Sequence, residues 1–284
     1  MSQIRHVGVV GCGLMGRGIA EVCALAGYST TVREVSQELL ERGLAAIRSS
    51  IDRGVEKGRI EPAARERVRL DGTLDVQALA LCDLVIEAIV ENVEAKVALF
   101  RDLDRMLAPE ALLATNTSSL TVTQLAVATG RPDRFLGLHF FNPVPAMKLV
   151  EVVRALTTSD GTVAAGKELV ASLGKVAVEC RDRSGFLVNR LLVPYLLDAI
   201  RAHEHGAGSI EDIDAAMKLG CGHPMGPFTL LDFVGLDTTL SIAEIMFHEY
   251  RETRFAPPPL LRQMVQAGRL GRKSGRGFFE YGGG

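Results

Sequence analysis

One short run constrains this 284-residue chain more than any other. Gly11-Cys12-Gly13-Leu14-Met15-Gly16 spells G-x-G-x-x-G, and it stands between the apolar run Val7-Gly8-Val9-Val10 and an apolar helical segment that ends at Gly27. The string alone is weak, because glycine-rich turns are common. Its place between a strand and a helix gives it meaning. There Gly11 permits a tight turn, Gly13 lets backbone approach a pyrophosphate, and Gly16 lets helix and strand pack closely. The helix N-terminus, with Leu14 and Met15 in its first turn, offers N–H groups and a positive dipole end to the diphosphate. Cys12 reads as a small loop residue.

A second strand, Thr30-Thr31-Val32-Arg33-Glu34, ends in an acid 18 positions beyond Gly16. That is close to the ~20 at which a carboxylate accepts hydrogen bonds from the adenosine ribose, so NAD is the favoured ligand. Arg33 keeps NADP open, since a guanidinium beside that carboxylate can hold a 2′-phosphate.

Around this unit the chain alternates. Strands are expected near 5–10, 29–34, 84–89, 111–115, 135–140, 148–153 and 176–180, and helices near 14–26, 37–58, 92–107, 121–128 and 160–173. Such alternation builds βαβ units and a mostly parallel sheet, an α/β Rossmann-type arrangement. Beyond Arg181 the texture changes. Segments near 186–204, 210–219, 227–250 and 259–267 all have helical period, with Ser209 and Asp212 resembling a capping box and Gly220 closing that helix. The expected organisation is therefore a nucleotide-binding domain over 1–183 with a helical insertion near 37–68, then an all-α domain over 184–284 for substrate and dimerisation. The charged run of that insertion (Glu38, Glu41, Arg42, Arg48, Asp52, Arg53, Glu56, Lys57) reads on composition as solvated helix face. The terminal Gly282-Gly283-Gly284 is expected to fray.

Composition narrows the partners. With 32 Lys plus Arg against 34 Asp plus Glu, the net charge of -2 gives no basic field for nucleic acid or anionic lipid. The hydrophobic fraction of 47% and charged fraction of 23% belong to a folding chain. Its greasiest stretch, Phe186 to Leu197, is broken by Asn189, Arg190 and Pro194, so no membrane span is expected. Val7 begins apolar chain with no basic leader before it. The five cysteines (Cys12, Cys23, Cys82, Cys180, Cys221) form no C-x-x-C pair, which points away from disulfides and metal and toward a reducing cytoplasm.

Four polar sites interrupt this apolar pattern. Thr115-Asn116-Thr117-Ser118-Ser119 follows the strand at 111–115, where a parallel sheet presents ligands. His139 stands in Gly137-Leu138-His139-Phe140-Phe141-Asn142-Pro143; a lone histidine among aromatics is more often structural. Glu151 lies inside the apolar strand Lys148-Leu149-Val150-Glu151-Val152-Val153, where a carboxylate needs a partner, and His139 is a candidate. Asn189 sits at helical spacing from Leu192, Val193 and Leu196, so its amide also needs partners, whether backbone or ligand.

Taken together, Asn116–Leu120, Gly137–Pro145, Lys148–Val152 and the run Asp182-Arg183-Ser184-Gly185-Phe186-Leu187-Val188-Asn189-Arg190 resemble the L-3-hydroxyacyl-CoA dehydrogenase family. The likeness continues through Asp212-Ile213-Asp214, Gly222-His223-Pro224-Met225-Gly226-Pro227 and Gly235-Leu236-Asp237 to Gly271-Arg272-Lys273-Ser274-Gly275-Arg276-Gly277-Phe278. It covers nearly the whole chain and is most like the short enzymes of the family that act on 3-hydroxybutyryl-CoA, in fatty acid metabolism. The resemblance implies that His139 is the catalytic histidine and Glu151 its paired carboxylate. It implies that Ser118 and Asn189 surround the substrate's 3-oxygen, with Ser118 also near the nicotinamide. Glu91, Lys96, Asn142 and Lys273 match further cofactor contacts, and Ser50 and Lys57 match positions that touch coenzyme A. It also implies a site assembled from both domains and a homodimer formed through the helical domain, whose apolar content around 186–200 and 227–246 exceeds the needs of one small core.

Three other functions compete. The same chemistry serves 3-hydroxyadipyl-CoA or acyl groups on a carrier protein. A related fold serves sugar-acid dehydrogenases akin to lens crystallins, against which Ser50 and Lys57 argue. A nonenzymatic NAD-binding protein needs no His139, Glu151 and Asn189 set.

Overall fold

A computed structural model describes residues 4–118 and 120–282, so Ser119 of the polar segment and Gly283 and Gly284 of the expected frayed end lie outside the described residues. The chain divides into two compact units, Met1–Arg183 and Ser184–Gly284.

The first unit is built on eight strands: β1 (His6–Val10), β2 (Ser29–Arg33), β3 (Arg69–Thr73), β4 (Leu84–Glu87), β5 (Leu112–Thr115), β6 (Phe135–Phe140), β7 (Leu149–Arg154) and β8 (Val176–Arg181). They form one sheet in the order β3-β2-β1-β4-β5-β6-β7-β8. Every neighbouring pair is parallel except β6 and β7. The central strands are buried on both faces, with every residue of β4, β5 and β6 buried. That is why they read as unbroken apolar runs rather than alternating ones. Helices α1 (Leu14–Leu25), α2 (Gln37–Glu56), α3 (Pro62–Glu66), α4 (Val93–Met106), α5 (Val122–Ala126) and α6 (Asp160–Ser172) make the crossovers. The chain proceeds outward from β1 through β2 to β3, then returns to β4 on the other side of β1. This reversal is the switch point at which open α/β sheets bind ligands.

The alternation implied a mostly parallel sheet, and the fold has one, but residues 37–80 differ from expectation. They do not form helices alone: after α2 and α3 comes β3, an edge strand of sequence Arg-Leu-Asp-Gly-Thr with little buried side chain. Its polar composition gave no strand signal because only one edge of it pairs. Nor is α2 only a solvated face. Leu40, Gly43, Ile47, Ile51 and Gly54 recur at helical spacing and are buried, while its charged residues occupy the other side.

The second unit contains α7 (Val188–Glu204), α8 (Ile210–Cys221), α9 (Pro227–Val234), α10 (Leu236–Tyr250) and α11 (Pro259–Gln266). Its core gathers Val193, Leu196, Ile200, Phe228, Leu231 and Met246. The Ser209 hydroxyl caps α8 by accepting the Asp212 N–H at 3.0 Å. That helix runs past Gly220 and stops at Gly222, whose φ of 67° is left-handed. The single helix expected over 227–250 is two. Gly235, at φ 101°, closes α9 and turns the chain into α10, a conformation costly for other residues. Among the described residues, no helix is long and apolar enough to cross a membrane.

Candidate active site

Because β1, β2, β4, β5 and β6 run parallel, the loops that leave them emerge along one edge of the sheet. In spatial order the first four carry Glu34, the glycine loop, Glu91 and Ser118, and His139 stands near the end of β6 itself. From β2 to β6 are four inter-strand gaps, about 19 Å at ordinary strand spacing.

The glycine loop divides its labour. A Cβ on Gly16 would stand 1.8 Å from the Gly11 carbonyl oxygen, and one on Gly11, already at φ 95°, would stand 2.6 Å from the Ala88 oxygen. The fold itself forbids side chains there. Gly13 is different: a Cβ would meet nothing within 4 Å. It is dispensable to packing and leaves open the space a diphosphate needs in front of α1, whose first N–H groups lack partners within the helix. Glu34 reaches back to this loop, Oε1 accepting the Cys12 N–H at 2.6 Å and Oε2 the Val35 N–H at 2.9 Å. Its carboxylate is thus fixed at the end of β2, where a ribose would be received. The residues fit NAD. The Arg33 guanidinium turns to the Leu74 carbonyl at 3.4 Å. Burial and the Glu34 carboxylate push the Cys12 thiol up to about 11, which keeps it protonated and inert at neutral pH.

Beyond the glycine loop lies a buried charge cluster. Glu87, the last residue of β4, accepts Lys96 Nζ at 2.6 Å and the Ile89 N–H at 2.7 Å on Oε1, and the Thr115 hydroxyl at 2.7 Å on Oε2. Burial raises its carboxyl pKa, and the Lys96 ammonium opposes that shift. Lys96, expected to contact the dinucleotide, is fully buried in α4 and divides its charge between Glu87 and Glu91, the latter at 3.1 Å. A lysine so enclosed has its charge already met by two carboxylates. Glu91 in turn accepts the Thr117 hydroxyl and, at 3.2 Å, the Ser118 N–H.

The antiparallel pairing of β6 with β7 sets His139 directly opposite Glu151. Nδ1 of the imidazole lies 2.6 Å from Oε2 of the carboxylate, with Glu151 wholly buried and His139 nearly so. Phe141 packs at 4.5 Å between ring centroids, covering the imidazole with apolar surface. Asn116 Oδ1 accepts the Phe140 N–H at 3.0 Å, tying the loop after β5 to the end of β6. Asn142 is exposed and leads through a cis peptide into Pro143. Buried Lys175 holds the following loop by donating to the Val144 and Met147 carbonyls at 2.6 and 2.7 Å.

The remaining candidates are more scattered. Ser50 and Lys57 lie seven residues apart along one side of α2; Ser50 donates to Glu21 at 3.1 Å, and Lys57 stands exposed where the helix ends. In the second unit Asn189 is half-buried in the first turn of α7, just after the left-handed pair Gly185 and Phe186. Lys273 pairs with Asp237 at 2.6 Å. Sequence reasoning missed Glu87 and Lys175. For Glu87 the signal was present: Leu-Val-Ile-Glu places a carboxylate at the end of a buried strand, the same anomaly that singled out Glu151.

Comparisons with known proteins agree on both units. Residues 6–183 match the family described as "3-hydroxyacyl-CoA dehydrogenase, NAD binding domain", and residues 185–281 match "3-hydroxyacyl-CoA dehydrogenase, C-terminal domain". The chain is 50% identical to a 3-hydroxybutyryl-CoA dehydrogenase of Mycobacterium tuberculosis over 282 residues, covering 98% of this chain and 99% of that protein. It is 47% identical to the mitochondrial hydroxyacyl-coenzyme A dehydrogenase of Rattus norvegicus, covering 98% and 91% of the two chains. Among solved structures it is similar to the (S)-3-hydroxybutyryl-CoA dehydrogenase of Ralstonia eutropha, with a TM-score of 0.95 at 42% identity over 99% of this chain and all of that one.

Proposed function

This chain belongs to the 3-hydroxyacyl-CoA dehydrogenase family, an NAD-dependent oxidoreductase, and from that premise we propose that it interconverts 3-hydroxybutyryl-CoA and acetoacetyl-CoA with His139 and Glu151 as its acid–base pair. The observation that carries this reading is the 2.6 Å pairing of His139 with a fully buried carboxylate at the edge of the sheet where the cofactor loops emerge.

Oxidation removes two things from the substrate, a hydride from C3 and a proton from the hydroxyl on it. NAD, when bound, supplies the hydride acceptor, or the donor in reverse. The protein handles the proton. His139 takes it at Nε2, the nitrogen across the ring from the one that faces Glu151. Glu151 fixes the tautomer through Nδ1 and stabilises the imidazolium once formed, as a carboxylate does toward histidine in hydrolytic triads. Ser118 and Asn189 donate hydrogen bonds to the oxygen as its charge develops. Glu34 receives the adenosine ribose, the glycine loop the diphosphate, and Asn142 and Lys273 further parts of the cofactor. Ser50 and Lys57 receive coenzyme A.

A His139→Gln variant is expected to lose about 10²- to 10⁴-fold in kcat, the usual worth of positioned proton transfer, while NADH fluorescence titration reports nearly unchanged cofactor affinity. Undiminished kcat in a folded variant overturns the assignment. Glu151→Gln is expected to lower kcat and reshape its pH profile. Acetoacetyl-CoA should outrun 3-ketoadipyl-CoA and 3-ketoacyl groups on a carrier protein in the same NADH-oxidation assay; a preference for either reassigns the substrate.

A homodimer through the helical domain is part of the same proposal. Leu187, Leu191, Leu219, Phe233 and Val234 are exposed large apolar residues of this unit, side chains that such a contact would cover.

A further inference from the structure

Two carboxylates and one ammonium in the first unit form a cluster, two of its members enclosed and Glu91 about a third exposed, that the proton-transfer mechanism does not use. Glu87 and Lys96 are each 0% exposed, and Glu91 joins them from the β4–α4 loop. Enclosing such groups is expensive, and a buried ion pair is often no more stabilising than apolar side chains of similar volume. Its retention here calls for another explanation, and the contacts supply one.

The cluster is a chain of supports with a direction. At its fixed end the Glu87 carboxylate is held by three donors: the Ile89 N–H just beyond β4 at 2.7 Å, the Thr115 hydroxyl of β5 at 2.7 Å and Lys96 Nζ of α4 at 2.6 Å. Lys96 then spans 3.1 Å to Glu91 Oε2. Glu91 Oε1 receives the Thr117 hydroxyl and the Ser118 N–H, and the Thr117 oxygen also accepts the Leu120 N–H at 2.9 Å. The end of this chain is therefore the backbone of the loop that carries Ser118.

We propose that Glu87 is a positioning residue of the reaction: acting through Lys96 and Glu91, it holds the Thr117–Ser118 backbone so that the Ser118 hydroxyl meets the substrate's 3-oxygen, and Lys96 serves as the clamp between the carboxylates rather than as a phosphate ligand. The proposal rests on the reading of Ser118 given above. It explains why a lysine is enclosed beside two carboxylates, and why the β4 strand ends in an acid. A loop hung from two charge-assisted bonds is fixed more firmly than one held by neutral hydrogen bonds, and small displacements of a positioned donor are costly to turnover.

A double-mutant cycle tests it. Ser118→Ala, Glu87→Gln and their combination are assayed with acetoacetyl-CoA and NADH, with thermal melting of each variant alongside. Glu87→Gln is expected to lower kcat by about tenfold or more with the KM for acetoacetyl-CoA and the NADH Kd each within about threefold of the parent, and to add less than about twofold when Ser118 is already Ala. Effects that multiply in the double variant overturn the proposal and leave the role of Ser118 standing. A Ser118→Ala variant with parental kcat overturns the reading of Ser118 and the proposal with it. Lys96→Met addresses the clamp, with ADP-ribose as probe: affinity within about threefold of the parent supports it, whereas a loss of about thirtyfold or more marks a phosphate ligand and overturns it. Should Lys96→Met not fold, the Glu87→Gln/Lys96→Met pair leaves no fully buried unpaired carboxylate, since Glu91 is partly exposed, and is read by the same ADP-ribose affinity.

Discussion

At the scale of single residues, the polar atom in an apolar setting was the informative signal. Glu151 announced a partner because a carboxylate in a buried strand must have one, and the partner lies at 2.6 Å. Glu87 obeyed the same rule and went unread, because it stands at a strand end, where an acid is easily taken for the start of a loop. Cys12 shows the converse. Its place in the glycine loop invites thoughts of reactivity, yet burial and Glu34 raise its thiol to about 11, and Cys23, Cys82 and Cys180 are pushed to about 12. Since a raised thiol pKa lowers the thiolate fraction at any pH below it, these four should resist iodoacetamide through pH 9. Cys221, the exposed cysteine, should take the adduct first. Peptide mass mapping of the native enzyme checks this; prior labelling of Cys12 contradicts it.

At the scale of elements, helices and strands with strong period were legible and weakly paired ones were not. α1, α4, α6 and α7 fall within a few residues of expectation, since each buries a stripe of apolar side chains. β3 was illegible because an exposed edge strand carries no buried face to pattern. The division of α9 from α10 hung on Gly235, which within a helical period looks tolerable until its φ of 101° is known. Another element-scale device has no sequence signature at all. Arg131 sends its guanidinium to the Asp104 carboxylate at 2.7 Å and to the carbonyls of Asp104, Leu107, Ala108 and Ala111, closing the C-terminal end of α4 and the turn beyond it. Five planar donors suit this role and an ammonium does not. Arg131→Lys is expected to lose about 2–4 kcal/mol of stability in urea unfolding, with kcat of the folded enzyme unchanged. A loss below the error of the titration would show the carbonyls to be satisfied otherwise.

At the scale of the molecule, charge balance proved a poor guide to what the chain binds. Its net of -2 conceals buried Lys96 and Lys175, each assigned to the protein's own oxygens, and Lys57, the exposed lysine on α2. The proposed dimer is open to sedimentation equilibrium, which is expected to report twice the 30.6 kDa of one chain; a species at 30.6 kDa across micromolar concentrations removes it. The pairing of β6 with β7 carries a last implication. His139 and Glu151 meet because they oppose each other across two antiparallel strands, so their encounter obeys the period-two parity of a sheet. Loop 141–148 can gain or lose a residue without disturbing that parity, but one residue inserted within β7 ahead of Glu151 would send the carboxylate to the far face and leave the imidazole beside a valine. The proposed proton-transfer pair is in this sense a checksum on strand alignment, and on that proposal recovery of turnover after unfolding can come no earlier than the zipping of these two strands in register.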